Sequence, residues 1–486
     1  MSLKRNTLYN LLGAITPMFV GMVTVPLYLK TVGDARYGVL GLVWLFLGYF
    51  GLFDPGISRA ASYHIARLHK PEQAKERESV FWTALLVNIG FGLAGGIAVY
   101  LAARPLFMST FKMPESMRGE VMASLPWLAA SVPVAIVTGV IGGALQARER
   151  FGSYNIVGVF NAIFTQAVPL AVAKLHGPDL TWLIPAVLLT RMIGVIPNCV
   201  TLLKAMPLFQ GGGYDSKLVK TLFSYGGWIT LTNLLNPILS SADRMLIGSV
   251  LNVQAVTYYQ VPFNLVSRAS VIPGSLQNSL FPKLSQTQTE EESNALAYNA
   301  LAALTAVMTP LCIIGIAAMP IFMRLWIGHE RAEHTWTIGV ILLIGVWLNS
   351  LSYIPYGQLQ AMEKPGVVAK FHAIELVPFL GVLWVGLHYY GLIGAAWAWT
   401  LRMAIDSILL FAVGSKIKGW PRVLVGLGLV LIATLFPPQQ ILSVRMLIEL
   451  VIIAVSIVWS MKLSPTVGKL LLARFGAKSR PQQAAA

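Results

Sequence analysis

Residues 79–103 read SVFWTALLVNIGFGLAGGIAVYLAA and contain no charged side chain. A helix needs roughly 20 apolar residues to cross the ~30 Å hydrocarbon core of a bilayer, so this stretch is long enough to span it. Charged residues lie immediately before it, in the segment 75–78 (KERE). The stretch therefore predicts a membrane-spanning helix, and the rest of the chain repeats its pattern.

The composition of the whole chain excludes a soluble enzyme. Hydrophobic residues make up 56% of the 486 residues and charged residues 12%, whereas soluble domains carry about 25% charged residues. The net charge of +16 fits a membrane protein, because cytoplasmic loops accumulate Lys and Arg. No nucleic-acid partner is expected. The two cysteines, Cys199 and Cys312, lie in apolar runs and are expected to be small buried hydrophobic residues.

Apolar runs of spanning length recur along the chain, and fourteen are predicted to cross the membrane. The sequence therefore predicts an all-α polytopic membrane protein with short connections. The predicted spans lie near 8–29, 37–57, 79–103, 121–145, 155–175, 181–203, 225–248, 255–280, 295–318, 337–360, 371–389, 391–413, 422–437 and 445–461.

The distribution of basic residues predicts the orientation. With the N-terminus inside, Lys and Arg concentrate in the segments that alternate spans place in the cytoplasm, as the positive-inside rule requires. An even number of spans then leaves both termini cytoplasmic.

The connection 204–224 divides the predicted chain after six spans. Residues 210–213 (QGGG) predict a flexible segment, and Asp215 can cap a short amphipathic helix through Phe223 on the cytoplasmic surface. Six is even, so a second six-span lobe would have the same orientation as the first, which is the arrangement of a parallel repeat. The predicted parts are an N-terminal lobe at 1–203, the linker with its helix at 204–224, a second lobe at 225–413, two further spans at 414–462 and a basic cytoplasmic tail at 463–486.

No catalytic or cofactor motif is present in the sequence. A phosphate-binding loop would need Gly-x-x-x-x-Gly-Lys-Ser/Thr, and none occurs. His329 and His334 are five residues apart, whereas a helical zinc motif places histidines four apart. Neither a cofactor, a metal nor enzymatic activity is expected.

Charged residues inside predicted spans are informative, because each costs at least ~2.5–3.5 kcal/mol to insert. Arg402 and Asp406 are one helical turn apart and are expected to form an ion pair. Arg191 and Arg268 have no acid within one turn, so each needs a partner on another helix, a hydrated cavity or an anionic substrate. The charged candidates for a site are Arg191, Asp243, Arg244, Arg268, Arg402 and Asp406.

Polar side chains such as Tyr259 and Asn264 also recur in the seventh, eighth and tenth predicted spans. Hydrogen bonds between helices explain any one of them. Their density favours a hydrated cavity, and prolines in many spans favour the kinked helices that are common in transporters.

Several motifs resemble those of a known family. In the first half these are YNLLG at 9–13, VPLY at 25–28, RYG at 36–38 and FGLFDPG at 50–56; in the second half they are DRMLIG at 243–248 and FPKLS at 281–285. They resemble the polysaccharide-biosynthesis and O-antigen flippases of Wzx type, within the multidrug/oligosaccharidyl-lipid/polysaccharide exporter superfamily.

The resemblance implies two six-helix lobes around a cavity that opens alternately to each side. It implies transport of undecaprenyl-diphosphate-linked oligosaccharide across the bacterial inner membrane, with bilayer lipid and polysaccharide polymerase and chain-length regulator proteins as partners. Two alternatives remain at this point, a cation-coupled drug exporter of the same superfamily and a membrane glycan polymerase or ligase.

The implied substrate assigns roles to the candidate residues. Arginine binds phosphate oxygens in bidentate fashion, so Arg244 and Arg268, with Arg191, are expected to bind the diphosphate beside Tyr259 and Asn264. Asp243 is expected to pair with Arg268 when substrate is absent, and Asp243 and Asp406 are candidates for proton coupling.

Overall fold

The computed structural model describes residues 3–48, 53–362, 365–414, 421–438, 440 and 443–468, and every regular element in these ranges is a helix. The α-helices are α1 (Leu3–Val32), α2 (Asp34–Gly48), α3 (Ile57–Arg67), α4 (Ala74–Pro105), α5 (Glu115–Ala147), α6 (Phe151–His176), α7 (Leu180–Ala205), α8 (Ser216–Val250), α9 (Val253–Val266), α10 (Val271–Leu284), α11 (Glu290–Ile327), α12 (His329–Ala361), α13 (Pro365–Gly414), α14 (Pro421–Ala433) and α15 (Val444–Leu463).

The prediction of an all-helical membrane protein is confirmed. Within the described part of the chain, eight helical stretches are long and apolar enough to cross a membrane, and the shorter stretch Val423–Ala433 is also apolar. One of the eight, Gly366–Gly414, contains two helices, because Gly391 with φ 57° and ψ −137° breaks α13 between the eleventh and twelfth predicted spans. The count of fourteen spans stays a prediction.

Contacts divide the chain into two compact units, Met1–Gln260 and Val261–Ala486. In the first unit, α5 packs against α3, α4 and α7, and α6 lies between α1 and α7. In the second, α12 packs against α10, α11 and α13, while α14 and α15 both pack on α11. The predicted division at 204–224 stays a prediction, as does the tail at 463–486, most of which lies outside the described residues.

The helix predicted after Asp215 does not end at Phe223. The Asp215 side chain accepts a hydrogen bond from the backbone nitrogen of Lys217, as predicted for the cap, but the helix continues to Val250 as α8. Leu222 is 1% exposed and belongs to a core cluster with residues of α3, α4 and α5, and Phe223 packs against that cluster. The prediction of a separate surface helix is therefore wrong, because its apolar face is covered by protein.

The glycine segment before α8 is also ordered on the protein. The Glu78 Oε2 atom accepts hydrogen bonds from the backbone nitrogens of Gln210 (2.9 Å) and Gly212 (3.0 Å). The Asp215 backbone nitrogen donates to the Thr83 Oγ1 atom at 2.9 Å. Side chains of α4 therefore supply partners for its backbone groups, and the predicted flexibility of the linker stays a prediction.

Candidate functional site

Two of the predicted site residues, Asp243 and Tyr259, lie together in the first unit. Asp243 on α8 is 1% exposed and Tyr259 on α9 is 0% exposed, and the phenol of Tyr259 lies within electrostatic range of Asp243 and Arg244. The Asp243 Oδ1 atom also accepts a hydrogen bond from the backbone nitrogen of Arg244 at 2.8 Å. The structure thus groups a buried acid and a buried phenol with the partly buried guanidinium group of Arg244, and such a group of side chains can bind charge.

Glycines of α2 allow the start of α9 to come close. A Cβ atom on Gly38 would overlap the carbonyl oxygen of Val253, and one on Gly41 would overlap the side chain of Gln260. The Thr257 hydroxyl donates to the backbone oxygen of Asp34 at 2.6 Å. The RYG motif at 36–38 therefore positions the helix that carries Tyr259.

Arg268 and Asn264 lie in the second unit, around a break in the helix. Arg268 occupies the 3-10 segment Ser267–Ser270 between α9 and α10, so the eighth predicted span, 255–280, is not a continuous α-helix. Both side chains are exposed in the protein, and the Ser267 hydroxyl donates to the backbone oxygen of Asn264 at 3.3 Å. The exposure leaves both side chains accessible to a ligand. The predicted pair between Asp243 and Arg268 stays a prediction.

A cluster of four ionisable groups lies between the two helices of α13, with Glu375 and Asp406 buried and His372 and Arg402 partly buried. The Arg402 Nε atom is 3.6 Å from the Glu375 Oε2 atom, and the His372 Nε2 atom is 3.6 Å from the Asp406 Oδ1 atom. The Arg402 guanidinium carbon lies 5.3 Å from the ring centre of Phe379. Spacing along the helix predicts a pair between Arg402 and Asp406, which stays a prediction. The structure places Glu375 beside Arg402 and His372 beside Asp406, both from the preceding helix.

Arg191 lies on α7 at intermediate exposure, and in the described part of the chain it has no hydrogen bond or ion pair. Its neighbours Met192 and Ile193 are 45% and 64% exposed. The role of Arg191 beside Asp243 and Tyr259 stays a prediction.

Two acids that the sequence analysis did not single out connect elements of the first unit. Glu78 binds the linker described above, and Glu120 on α5 accepts hydrogen bonds from the Arg36 Nε atom (3.0 Å) and from the backbone nitrogen of Leu180 (3.0 Å). Neither role has a signal in sequence spacing, because the linker residues bound by Glu78 and the two partners of Glu120 lie far away along the chain.

Comparisons with known proteins give a matching family and a similar curated protein. The family described as polysaccharide biosynthesis protein matches residues 32–334. A protein of Shigella flexneri described as a "Putative O-antigen transporter" is 25% identical over 410 residues, which cover 84% of this chain and 97% of that protein.

Two solved structures share the fold. The inward closed conformation of the lipid II flippase MurJ has a TM-score of 0.72 at 14% identity and covers 97% of this chain and 99% of that one. An inward-facing multidrug resistance transporter of the MATE family, from the MOP superfamily, has a TM-score of 0.66 at 14% identity and covers 88% and 96% of the two chains. The fold is therefore that of a multi-pass membrane transporter.

Proposed function

Because this chain belongs to the polysaccharide biosynthesis protein family, we propose that it moves a lipid-linked oligosaccharide from one leaflet of the membrane to the other. The observation that carries the proposal is the alignment with the Shigella flexneri protein described as a "Putative O-antigen transporter", which covers 97% of that protein. The MurJ-like fold supports it, since that structure is described as a lipid II flippase. These relatives are transporters, and the chain is not an enzyme.

We propose undecaprenyl diphosphate as the lipid carrier and Arg244 and Arg268 as its ligands. A diphosphate carries two or more negative charges, and the planar fork of an arginine side chain binds two phosphate oxygens at once. The exposed position of Arg268, in a segment that is not α-helical, supports its access to substrate. Tyr259, Asn264 and Arg191 are proposed to contribute to the same substrate path.

The proposed mechanism is alternating access by two six-helix lobes, with fourteen spans and both termini in the cytoplasm of a bacterial inner membrane. Asp243 and Asp406 are the proposed proton carriers. Their burial, at 1% and 6% exposed, supports this role, because acidic side chains inside membrane spans commonly belong to proton pathways. A polysaccharide polymerase and a chain-length regulator are proposed partners, since flipped units need assembly.

A deletion strain tests the proposed function. Without the protein, lipid-linked repeat units should accumulate on the cytoplasmic leaflet, where a membrane-impermeant glycan-oxidising enzyme added to intact spheroplasts cannot reach them. Reintroducing the gene should make them accessible. Units that are already accessible in the deletion strain would show instead that the protein polymerises or ligates the glycan, and an unchanged lipid-linked pool would exclude both roles.

The arginine assignment is tested by Arg268→Lys, which keeps the charge but loses the bidentate fork. We expect this variant to reach the membrane in normal amount and to flip more slowly. Transport equal to the parent's would contradict the role of Arg268 and would leave the proposed function intact.

A further inference from the structure

The ends of three helices meet in the first unit. α3 ends at Arg67, α4 begins at Ala74 and α5 ends at Ala147, and α3 packs against both α4 and α5. Ile65 and Ala144, each a few residues from one of these ends, belong to the same core cluster. The end of α3, the start of α4 and the end of α5 therefore form one junction at the edge of that core.

Two arginines lie near each other at this junction. Arg77, in the first turn of α4, is 5% exposed, and its Nη1 atom donates a hydrogen bond to the backbone oxygen of Leu68 at 2.8 Å. Arg148 directly follows the last residue of α5 and is partly buried. The guanidinium group of Arg77 lies within electrostatic range of Arg148. The junction therefore holds two positive charges that act on each other.

Neither charge is balanced by an acid. In the part of the chain that the structure describes, neither guanidinium group forms an ion pair, and the side chain of Arg148 forms no hydrogen bond. The acid next to Arg77 in sequence, Glu78, is bonded to Trp82 and to the backbone of the linker. No side chain in the described ranges therefore compensates the repulsion between the two arginines.

Both side chains also contain a buried nitrogen without a partner. The Nε atoms of Arg77 and Arg148 are buried and form no hydrogen bond with any described residue. Leaving a buried N–H group unpaired costs about 1–3 kcal/mol, and a group of this kind calls for a partner such as a water molecule or an ion. Because Arg148 is partly exposed, its guanidinium group can turn toward a ligand at the surface. Beside two positive charges, an anion is the favoured partner.

Helix ends explain each arginine separately. The carbonyl end of a helix carries a partial negative charge that favours a nearby cation by roughly 0.3–1 kcal/mol, and both α3 and α5 end here. Arg77 also binds the carbonyl oxygen that follows α3. The helix ends do not explain why two cations share one junction, and they leave both Nε atoms unpaired. A purely structural role and a binding role therefore predict different behaviour.

We propose that Arg77 and Arg148 bind a phosphate group, carried either by an anionic phospholipid or by a soluble anion. The planar fork of each guanidinium group matches phosphate oxygens, and a bound anion would offset the repulsion between the two cations. Arg77 lies just before the uncharged run 79–103, which places the junction at the water-facing end of that predicted span. The inference does not rest on the proposed function, because no step of it involves transport.

Thermal unfolding of the full-length protein tests the site, in dodecyl maltoside micelles after delipidation checked by native mass spectrometry. The unfolding temperature is measured with inorganic phosphate against sodium chloride of equal ionic strength, and in mixed micelles with phosphatidylglycerol against phosphatidylcholine. A ligand that binds only the folded state raises this temperature as its concentration increases. We expect such a rise with phosphate, with phosphatidylglycerol or with both. A response to phosphate alone identifies a soluble ligand, and a response to phosphatidylglycerol alone identifies a lipid head group.

Variants assign the response to the junction. Arg148→Gln should lose at least half of the rise, and Arg148→Lys should lose part of it, because lysine keeps the charge without the fork. Arg118→Gln should keep the full rise. Arg118 is a matched control, since it lies near the opposite end of α5 and its Nε atom is also buried without a partner among the described residues.

The ligand-free protein separates binding from a structural role. Without phosphate or anionic lipid, Arg148→Gln should unfold at or above the temperature of the parent, because the repulsion between the two arginines is removed. With the ligand bound, the same variant should unfold below the parent. A deficit of equal size in both conditions would show that Arg148 only stabilises the helix end, and would overturn the proposal. Equal responses of the parent and Arg148→Gln, or no response of the parent to either ligand, would overturn it as well.

Discussion

The Oε2 atom of Glu78 lies 3.0 Å from the backbone nitrogen of Gly212, and this hydrogen bond holds an irregular segment of glycines against the start of α4. Glu78 is 1% exposed, and its other carboxylate oxygen accepts a hydrogen bond from the indole nitrogen of Trp82 at 3.2 Å. The linker is therefore held against α4 as far as Asp215, whose backbone nitrogen donates a hydrogen bond to Thr83.

Gly212→Ala should release the linker. The added Cβ would lie 2.5 Å from the carbonyl oxygen of Lys75 and 2.7 Å from the Cβ of Glu78, so the segment has to move away and lose its hydrogen bonds. Each lost bond to the charged acid contributes about 1.5–3 kcal/mol. Limited proteolysis between residues 206 and 215 should become faster. Gly213→Ala is the matched control, because its Cβ meets nothing within 4 Å; equal cleavage of the two variants would contradict the docking.

The ion pair between Arg36 and Glu120 should stabilise the folded protein, and exchanging the two residues tests this. The Arg36 Nη2 atom lies 2.5 Å from the Glu120 Oε1 atom, and the Nε atom binds the other oxygen, which makes the contact bidentate. Glu120→Gln should lower the unfolding temperature in detergent, because the bidentate charge-assisted pair is lost. Exchanging the residues, as Arg36→Glu with Glu120→Arg, should recover only part of the loss, because the acceptor for the Leu180 nitrogen is then missing. If the exchanged variant unfolds at the same temperature as the parent protein, the hydrogen bond to the Leu180 nitrogen does not contribute to stability and the prediction is contradicted.

In the ionisable cluster of α13, substituting both Arg402 and Glu375 should destabilise the protein less than substituting Arg402 alone. Arg402→Met leaves Glu375 without its cation in a site where the acid side chain is 4% exposed, and breaking a buried pair in this way costs about 3–5 kcal/mol. Adding Glu375→Gln removes the uncompensated acid, so the double variant should be more stable than Arg402→Met alone. Thermal unfolding of the purified proteins measures this order. If the losses of stability from the two single substitutions simply add up in the double variant, Arg402 and Glu375 do not interact.

The Arg324–Glu333 pair near the connection of α11 and α12 predicts a pH effect. Hydrogen bonding to the Arg324 guanidinium, at 2.7 Å, lowers the pKa of Glu333 from its usual 4.5. The pair therefore stabilises the folded state above about pH 4.5, and the contribution is lost as the pH falls through the lower folded pKa. The effect is small, about 0–1 kcal/mol, because the pair is exposed.

We expect Glu333→Gln to lower the unfolding temperature slightly at neutral pH and to leave it unchanged in acid, where Glu333 of the parent is protonated. Glu330→Gln in the same turn is the control. A Glu333→Gln deficit that persists unchanged at low pH would contradict the assignment to this pair.

Hydropathy predicted the helical class and the positions of most helices. In lipid, an apolar run such as 79–103 can pair its backbone N–H and C=O groups within the segment only by forming a helix. Hydropathy did not predict that 216–223 joins α8, since an apolar face on a short segment can contact either lipid or protein. The break at Ser267–Ser270 was also missed, because none of its four residues is a proline or glycine.

For a similar reason, the sequence predicted some residues of the candidate site but not the contacts between them. Asp243, Arg402 and Asp406 were found because a charge inside an apolar run is conspicuous. Glu375 was conspicuous in the same way, but its contact with Arg402, the contact of His372 with Asp406 and the roles of Glu78 and Glu120 follow from packing between helices. Spacing within one helix contains no information about such contacts.

The most direct test of the account is transport by the purified protein in liposomes. A lipid-diphosphate-linked oligosaccharide with a fluorescent group on its glycan is added to one leaflet, and its arrival in the other is followed by protection from a membrane-impermeant quencher. The account predicts protection that rises with time in liposomes containing the protein, and more slowly with Arg268→Lys. Protection no greater than in protein-free liposomes would contradict the claim that this chain is a flippase.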